Sequence, residues 1–263
     1  MNLKYLFIFL LGFSNTILYA SDNEVIFNNK SYKLTFFDDF EGYEIDSEKW
    51  GRCKEGKRQN YNGYWKNDCS YVKDGNLVIE CRSNENGTFY SGAISTKDKF
   101  VQNQGLFEIK FKITKSSGLW YAFWLNTDGM FKEHKKKKTA EEGLEIDIFE
   151  ILPSKNVLNT AVHYGGYEYF NNILLTKSRQ YMLDDFFYDD YHIVKFVWND
   201  EGYELWLDKD KLYHLASNSA GGICNEAAYV LLSSEFGSWG GEIVDELLPA
   251  YMYVDYVKVY EKL

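Results

Sequence analysis

Proline is nearly missing from this chain: there are two in 263 residues, so little in the sequence forbids long uninterrupted strands. Helical periodicity of useful length is also lacking; the best candidate, around Asp184 to Asp190, is short and acidic. No internal repeat, linker or low-complexity tail breaks up the chain. Histidine occurs four times, scattered, and no H-E-x-x-H, P-loop or G-x-S-x-G motif is present, which removes the common signatures of zinc hydrolases, nucleotide-binding proteins and serine esterases. Positive charge is in the minority, 29 Lys and Arg against 39 Asp and Glu, a net charge of −10. That balance argues against a nucleic-acid partner and against a polybasic membrane mode. The four cysteines, Cys53, Cys69, Cys81 and Cys224, include no close C-x-x-C pair, so they do not read as a zinc site.

The longest apolar run stands at the start. "MNLKYLFIFLLGFSNTILYA" places Lys4 before a greasy stretch and ends on a small residue, Ala20. Ser14, Asn15 and Thr16 interrupt it short of the roughly 20 apolar residues a spanning helix needs. The pattern predicts a secretory leader over residues 1–20, cleaved after Ala20, and a secreted or periplasmic mature chain over residues 21–263. In an exported protein an even number of cysteines permits one or two disulfides. Cys53 with Cys69 would close a short loop, and Cys81, at the end of "LVIEC", reads equally well as a buried thiol.

What the chain has in abundance is aromatic side chains, 18% of it, with 22 Tyr, 19 Phe and 7 Trp. This is the composition of β-sheets. "FEIKFKI" alternates cleanly, with Phe107, Ile109, Phe111 and Ile113 on one side and Glu108, Lys110 and Lys112 on the other. "LWYAFWL", "LEIDIFEI", "NTAVHY", "YHIVKFVW", "YELWL", "YVLLSS" and "YMYVDYVKVY" are alike in length and content, and "DGN", "NENG" and "NDEG" punctuate the runs. Many short strands with such breaks predict one all-β domain, a sandwich or barrel. Trp120, Ala122 and Trp124 share one strand face and Tyr121, Phe123 and Leu125 the other. One set belongs to the core; the other is open to a ligand unless both are buried between sheets.

Within "EIDIFE", residues 145–150, three acids sit on a greasy strand. In so acidic a chain the spacing acid-x-acid-x-x-acid arises about once by chance, so the filler carries the weight. Ile146, Ile148, Phe149 and Ile151 define a buried side and leave Glu145 and Asp147 on the other. Regular alternation would then put Glu150 into the core, where an unpaired carboxylate is very costly. A β-bulge at Ile148–Phe149 returns it to the face of the other two. Glu145 and Glu150 would stand about four ladder steps apart, roughly 13 Å between Cα atoms. Their carboxyl groups could then converge to about 5 Å, the separation of double-displacement glycoside hydrolysis. Asp147 between them would raise a neighbour's pKa. Adjacent positions of one strand seldom wrap a calcium ion.

With these residues in view, the chain resembles glycoside hydrolase family 16, in the branch with the bulged E-x-D-x-x-E motif. "FFDDFEGYEIDSEKW", "GNLVIEC", "YSGAISTKDKF", "GLFEIKFKI", "GLWYAFWL", "EIDIFE" and "VDYVKVY" follow in the family's order. The resemblance implies a concanavalin A-like β-jelly roll with a concave glycan-binding cleft. It implies Glu145 as nucleophile, Glu150 as general acid/base and Asp147 as the residue tuning them. Trp120 and Trp124 match cleft tryptophans and His163 in "AVHYGG" a histidine near the cleavage point. Trp239 and Glu235 in "SSEFGSWGG" fall in a cleft loop, and Trp65 is a platform or a rim residue. A structural calcium near the closing strand would make Asp255 a candidate ligand; no organic cofactor is required. The implied activity is that of an endo-acting retaining β-glycanase working as a monomer on a polysaccharide, with β-1,3-glucan the leading substrate and galactan or host glycan the alternatives. A lectin on the same fold and a transglycosylase are the rival readings. Two features depart from the β-1,3-glucanase pattern: Tyr121 where those enzymes carry Pro, and the loop of "LLSSEFGSWGG". The run "KEHKKKK", 132–138, reads as a solvated loop or as a contact for sulfated or acidic glycan at the cleft edge.

Overall fold

The computed structural model describes residues 18–21, 23–58, 61–168 and 171–263. Of the expected leader, residues 1–17 lie outside the described residues; the backbone of Leu18–Ser21 pairs with Glu24–Phe27. No helix among the described residues is long and apolar enough to cross a membrane. The described residues form strands, turns and single 3₁₀ turns, with no α-helix. The best helical candidate of the sequence, around Asp184 to Asp190, is one such turn, Asp185–Tyr188.

Two sheets share one core. The inner sheet has seven strands in the order Leu175–Met182, Val157–Tyr164, Leu144–Leu152, Leu119–Asn126, Tyr229–Phe236, Ala93–Ser95 and Gly51–Arg52. Every neighbouring pair in it is antiparallel. The other sheet, of thirteen strands, is built around Gly105–Ile113 and the long closing strand Ala250–Lys262. Phe107, Ile109, Phe111 and Ile113 point inward as their alternation predicts, and all four are fully buried. Phe111 stacks on Phe149 of the inner sheet at 4.5 Å between ring centroids, so the two sheets meet directly beneath the acid-bearing strand. The opposite face of Gly105–Ile113 is not simply solvated. Glu108 is buried there, with Lys195 Nζ at 3.2 Å and the Tyr256 hydroxyl donating at 2.7 Å.

The aromatic strand Leu119–Asn126 resolves as one core face and one open face. Tyr121, Phe123 and Leu125 are fully buried in the core, while Trp120, Ala122 and Trp124 face the cleft. Tyr121, the departure from the glucanase pattern, therefore lies on the side away from any ligand. All four cysteines are free thiols. Cys81 packs in the core as a small hydrophobe with its Sγ 2.9 Å from Ser234 Oγ. Cys69 takes a hydrogen bond from Arg82 at 2.7 Å rather than a bridge to Cys53.

Candidate active site

The bulge is present where the acids demand it. On one side of the acid-bearing strand, Asp147 pairs with Ala161 and Glu150 with Asn159, so three residue steps oppose two. On the other side Trp124 pairs with Asp147 and Phe123 with Phe149, which leaves Ile148 as the extra residue. Ile148 and Phe149 both enter the core, fully buried, and the alternation restarts one residue late. Glu145, Asp147 and Glu150 consequently share the cleft face. Glu145 and Glu150 pair with Asn126 and Ala122 on one neighbour and with His163 and Asn159 on the other. Either way four residue steps separate them, about 13 Å of strand.

These acids sit on the floor of a cleft of about 1240 Å³. Glu145 is the most tightly held. Its Oε2 accepts from Asn126 Nδ2 at 2.8 Å and from the Tyr167 hydroxyl in a short contact. Burial pushes its pKa up to about 7; the neighbouring Asp147 adds to the rise, while His163 and the Tyr167 hydrogen bond oppose it. Glu150 accepts from Asn159 Nδ2 at 3.1 Å. Burial and Asp147 push Glu150 further above the ordinary carboxylate range. Asp147 is raised by burial as well and meets His163 Nε2 at 2.9 Å. The other ring nitrogen of His163 faces Thr176 Oγ1 at 2.7 Å. With its proton on Nε2 the ring donates to Asp147 and accepts from Thr176.

The remaining predicted residues divide by what covers them. Trp120 and Trp239 meet edge to face at 5.3 Å, and Trp124 donates its indole N–H to Ser233 Oγ at 3.1 Å; all three line the cleft. Gly118 holds this corner together. Its nitrogen donates to Gly240 O at 2.9 Å and its carbonyl accepts from Gly237 N at 3.0 Å. A Cβ at its φ of +79° would also stand 2.2 Å from Ile243 Cγ1. Glu235 lines the cleft paired with Arg58 at 3.2 Å, and its Oε2 has no hydrogen-bond partner among the described residues. Trp65 is a wall rather than a bare platform: the Arg58 guanidinium lies over its ring at 3.6 Å and its N–H donates to Ser234 O. No residue of the lysine run lines the cleft, and Lys132, Lys136 and Lys137 are paired with Glu226, Glu141 and Glu133. Asp255 faces Lys110 Nζ at 2.6 Å, an ammonium that a calcium ion would have to displace. Among the described residues the cluster of three groups able to hold an ion is Glu145, Asp147 and His163, on the cleft floor.

Asn126, Tyr167, Asn159 and Arg58 were not foreseen. Asn126 and Asn159 stand directly opposite Glu145 and Glu150 in the ladder, so the strand register is the signal that could have found them. Tyr167 follows its strand by three residues, just past the glycines of "HYGG", and only the fold brings it over Glu145.

The chain is 26% identical over 247 residues to a keratan-sulfate endo-1,4-beta-galactosidase of Sphingobacterium multivorum, covering 88% of this chain and 55% of that protein. It is 25% identical over 269 residues to glucan endo-1,3-beta-glucosidase A1 of Niallia circulans, covering 87% and 38%. The chain thus spans about half the length of these relatives or less. The X-ray structure of an endo-beta-1,3-glucanase from Pyrococcus furiosus superimposes with a TM-score of 0.75 over 92% of this chain and 99% of that one, at 24% identity, a likeness of fold. The family profile for glycosyl hydrolases family 16 matches residues 57–257, a span that carries the bulged strand and most of the cleft lining, and the chain belongs to that family.

Proposed function

We propose that the protein is an endo-acting, retaining β-glycanase in which Glu145 is the nucleophile and Glu150 the general acid/base. The observation that carries this reading is the bulge, which turns a third acid out of the core and onto the cleft floor beside two others. The protonation order supports the roles. Glu145, near neutrality, ionises first, and Glu150 holds its proton longer. Glu145 attacks the anomeric carbon while Glu150 protonates the departing glycosidic oxygen. Water, deprotonated by Glu150, then releases the sugar from Glu145. Asp147, braced by His163, keeps negative charge between the two and so delays loss of the Glu150 proton. Trp120, Trp124 and Trp239 offer ring faces and edges to the pyranose units. A cleft lined from one edge strand of the sheet to the other suits binding within a chain rather than at its end.

The leading substrate is β-1,3-glucan, with galactan and host glycan as alternatives, and residues 1–20 are proposed as a leader that exports the chain. The test is a polysaccharide panel of laminarin, mixed-linkage glucan, agarose, carrageenan, keratan sulfate and mucin glycans, with Glu145→Gln and Glu150→Gln beside the wild type. Reducing ends released by the wild type and lost on the order of 10³-fold or more in Glu145→Gln are expected. Equal release by both proteins removes the assignment, and binding without cleavage by the wild type makes the protein a lectin.

A further inference from the structure

The two ends of the cleft differ in charge. Toward the edge strand Leu175–Met182 the lining is neutral and hydroxylic, with Thr176, Ser178 and Gln180. Toward the opposite edge, Gly51–Arg52, it carries Arg52, Lys54, Lys97 and Lys99, with Asp98 as the nearby lining carboxylate. In a chain of net charge −10 this is a local reversal of sign. The side-chain ammonium groups of Lys54 and Lys99 have no hydrogen bond or ion pair among the described residues, and the stem of Lys99 lies against Gly51. Arg52 donates to the backbone carbonyls of Asn67 and Ser70, the latter at 2.7 Å, so its guanidinium is held in place without being neutralised. Lys97 is paired with Asp128 at 2.8 Å and lies 5.1 Å from the Tyr229 ring centroid.

These cations are not there to serve the catalytic acids. The protonation of Glu145, Asp147 and Glu150 is governed by burial, by one another and by nearby hydrogen-bonding groups and His163, and Glu235 has its own arginine. Three neighbouring strands lie between the acid-bearing strand and Gly51–Arg52, roughly 19 Å at the usual strand spacing, a distance of several sugar units. Unneutralised ammonium and guanidinium groups at that distance along a glycan trough match a compact anion on the sugar chain.

Resting on the glycanase reading above, we propose that Arg52, Lys54 and Lys99, flanked by Lys97, form a subsite for an anionic substituent of the glycan, a sulfate ester or a uronate carboxylate. It is built by this end of the cleft and not by the lysine run 132–138, no residue of which lines the cleft and of which Lys132, Lys136 and Lys137 are paired with Glu226, Glu141 and Glu133. The substituent strengthens binding several units away from the bond that is cut and leaves the chemistry at Glu145 and Glu150 untouched.

The test uses the full chain as Glu145→Gln, so that binding is read without cleavage. Laminarin and a neutral galactan are each offered plain, sulfated and C6-carboxylated, and affinities are measured at low and high salt. About tenfold tighter binding of a charged form at low salt, shrinking as salt screens it, is expected. Gain with the sulfated arm alone assigns the subsite to sulfate, and gain with both assigns it to charge. Lys54→Ser with Lys99→Ser brings plain and charged affinities together. Lys209→Ser, on a hairpin of the other sheet, leaves the difference in place. Equal binding of plain and charged forms, no binding of any charged form, or a gain that survives the double substitution overturns the proposal. Failure of the glycanase reading is seen separately, as the absence of a difference between wild type and Glu145→Gln in cleaving the plain polymers.

Discussion

Both neighbours of Glu145 act on a single oxygen. Asn126 and Tyr167 donate to Oε2, so Oε1 is the oxygen left to face an anomeric carbon, with His163 Nε2 at 4.0 Å. Two perturbations of this carboxylate have opposite signs, which makes them separable. The Tyr167 hydrogen bond favours the ionised form, while the charge on Asp147 disfavours it. In the proposed mechanism Glu145 acts ionised and Glu150 protonated, so kcat/KM against pH is expected to be a bell whose acid limb follows Glu145 and whose alkaline limb follows Glu150. Tyr167→Phe removes a stabiliser of the anion, raises the pKa of Glu145 and moves the acid limb to higher pH, with the alkaline limb in place. Asp147→Asn removes a negative neighbour from both glutamates, lowers both pKa values and moves both limbs to lower pH, with a loss of kcat on the order of 10²-fold. A pH–rate profile of each variant checks the pair of directions; limbs that stay in place in both remove the tuning roles.

At the scale of the element, the bulge is a packing device as well as the means by which three acids share the cleft face. It places two consecutive side chains, Ile148 and Phe149, into the core, and Phe149 stacks on Phe111 and also meets Phe123. The acid-bearing face is therefore aimed by what the opposite face buries. Phe149→Ala is expected to cost about 3–5 kcal/mol of stability, read as a lower denaturation midpoint. It should also lower kcat in the folded protein, because the bulge loses its anchor; full activity in a destabilised Phe149→Ala protein would show that the backbone holds the kink unaided. The bulge was legible because a hydrophobic filler and a costly buried acid leave few arrangements for this hexapeptide. The core face of Leu119–Asn126 was legible only as one of two alternating sets, and contact with the second sheet chose between them. The partners of the acids were less legible. Asn126, Asn159 and Tyr167 are neutral polar residues without periodic signal, and their meaning comes from register and from the segment after Tyr164 that brings Tyr167 to Glu145. Arg58 and Trp65 likewise acquire their roles by stacking on each other, and Asp255 its ammonium neighbour, through pairings that spacing along the chain does not encode.

For the molecule as a whole, the site is stored electrostatic strain. Three carboxylates are drawn out of water on one strand face, and the fold holds them there through the shared core beneath. Glu145 shows the consequence for stability. Its folded pKa is raised from the ordinary 4.5 to about 7, so between these values the folded state keeps a proton that the unfolded chain has released. Stability therefore falls as pH rises through that window, and the penalty is complete above about pH 7. Below pH 4.5 both states are protonated and there is none. Gln at this position retains a carbonyl to accept from Asn126 and Tyr167 and carries no charge to desolvate. Glu145→Gln should thus be more stable than the wild type by about 2–3 kcal/mol above neutrality and no more stable at pH 4, measured as Tm across the pH range. The same substitution abolishes the proposed cleavage, so a gain in stability confined to the alkaline side, together with lost activity, identifies a carboxylate that the fold tolerates for the sake of chemistry. An equal or lower Tm at pH 8 would mean that the cleft hydrates Glu145 well enough to leave it ionised in the folded protein, and the acid limb of the activity profile would then lie near the pKa of an ordinary glutamate.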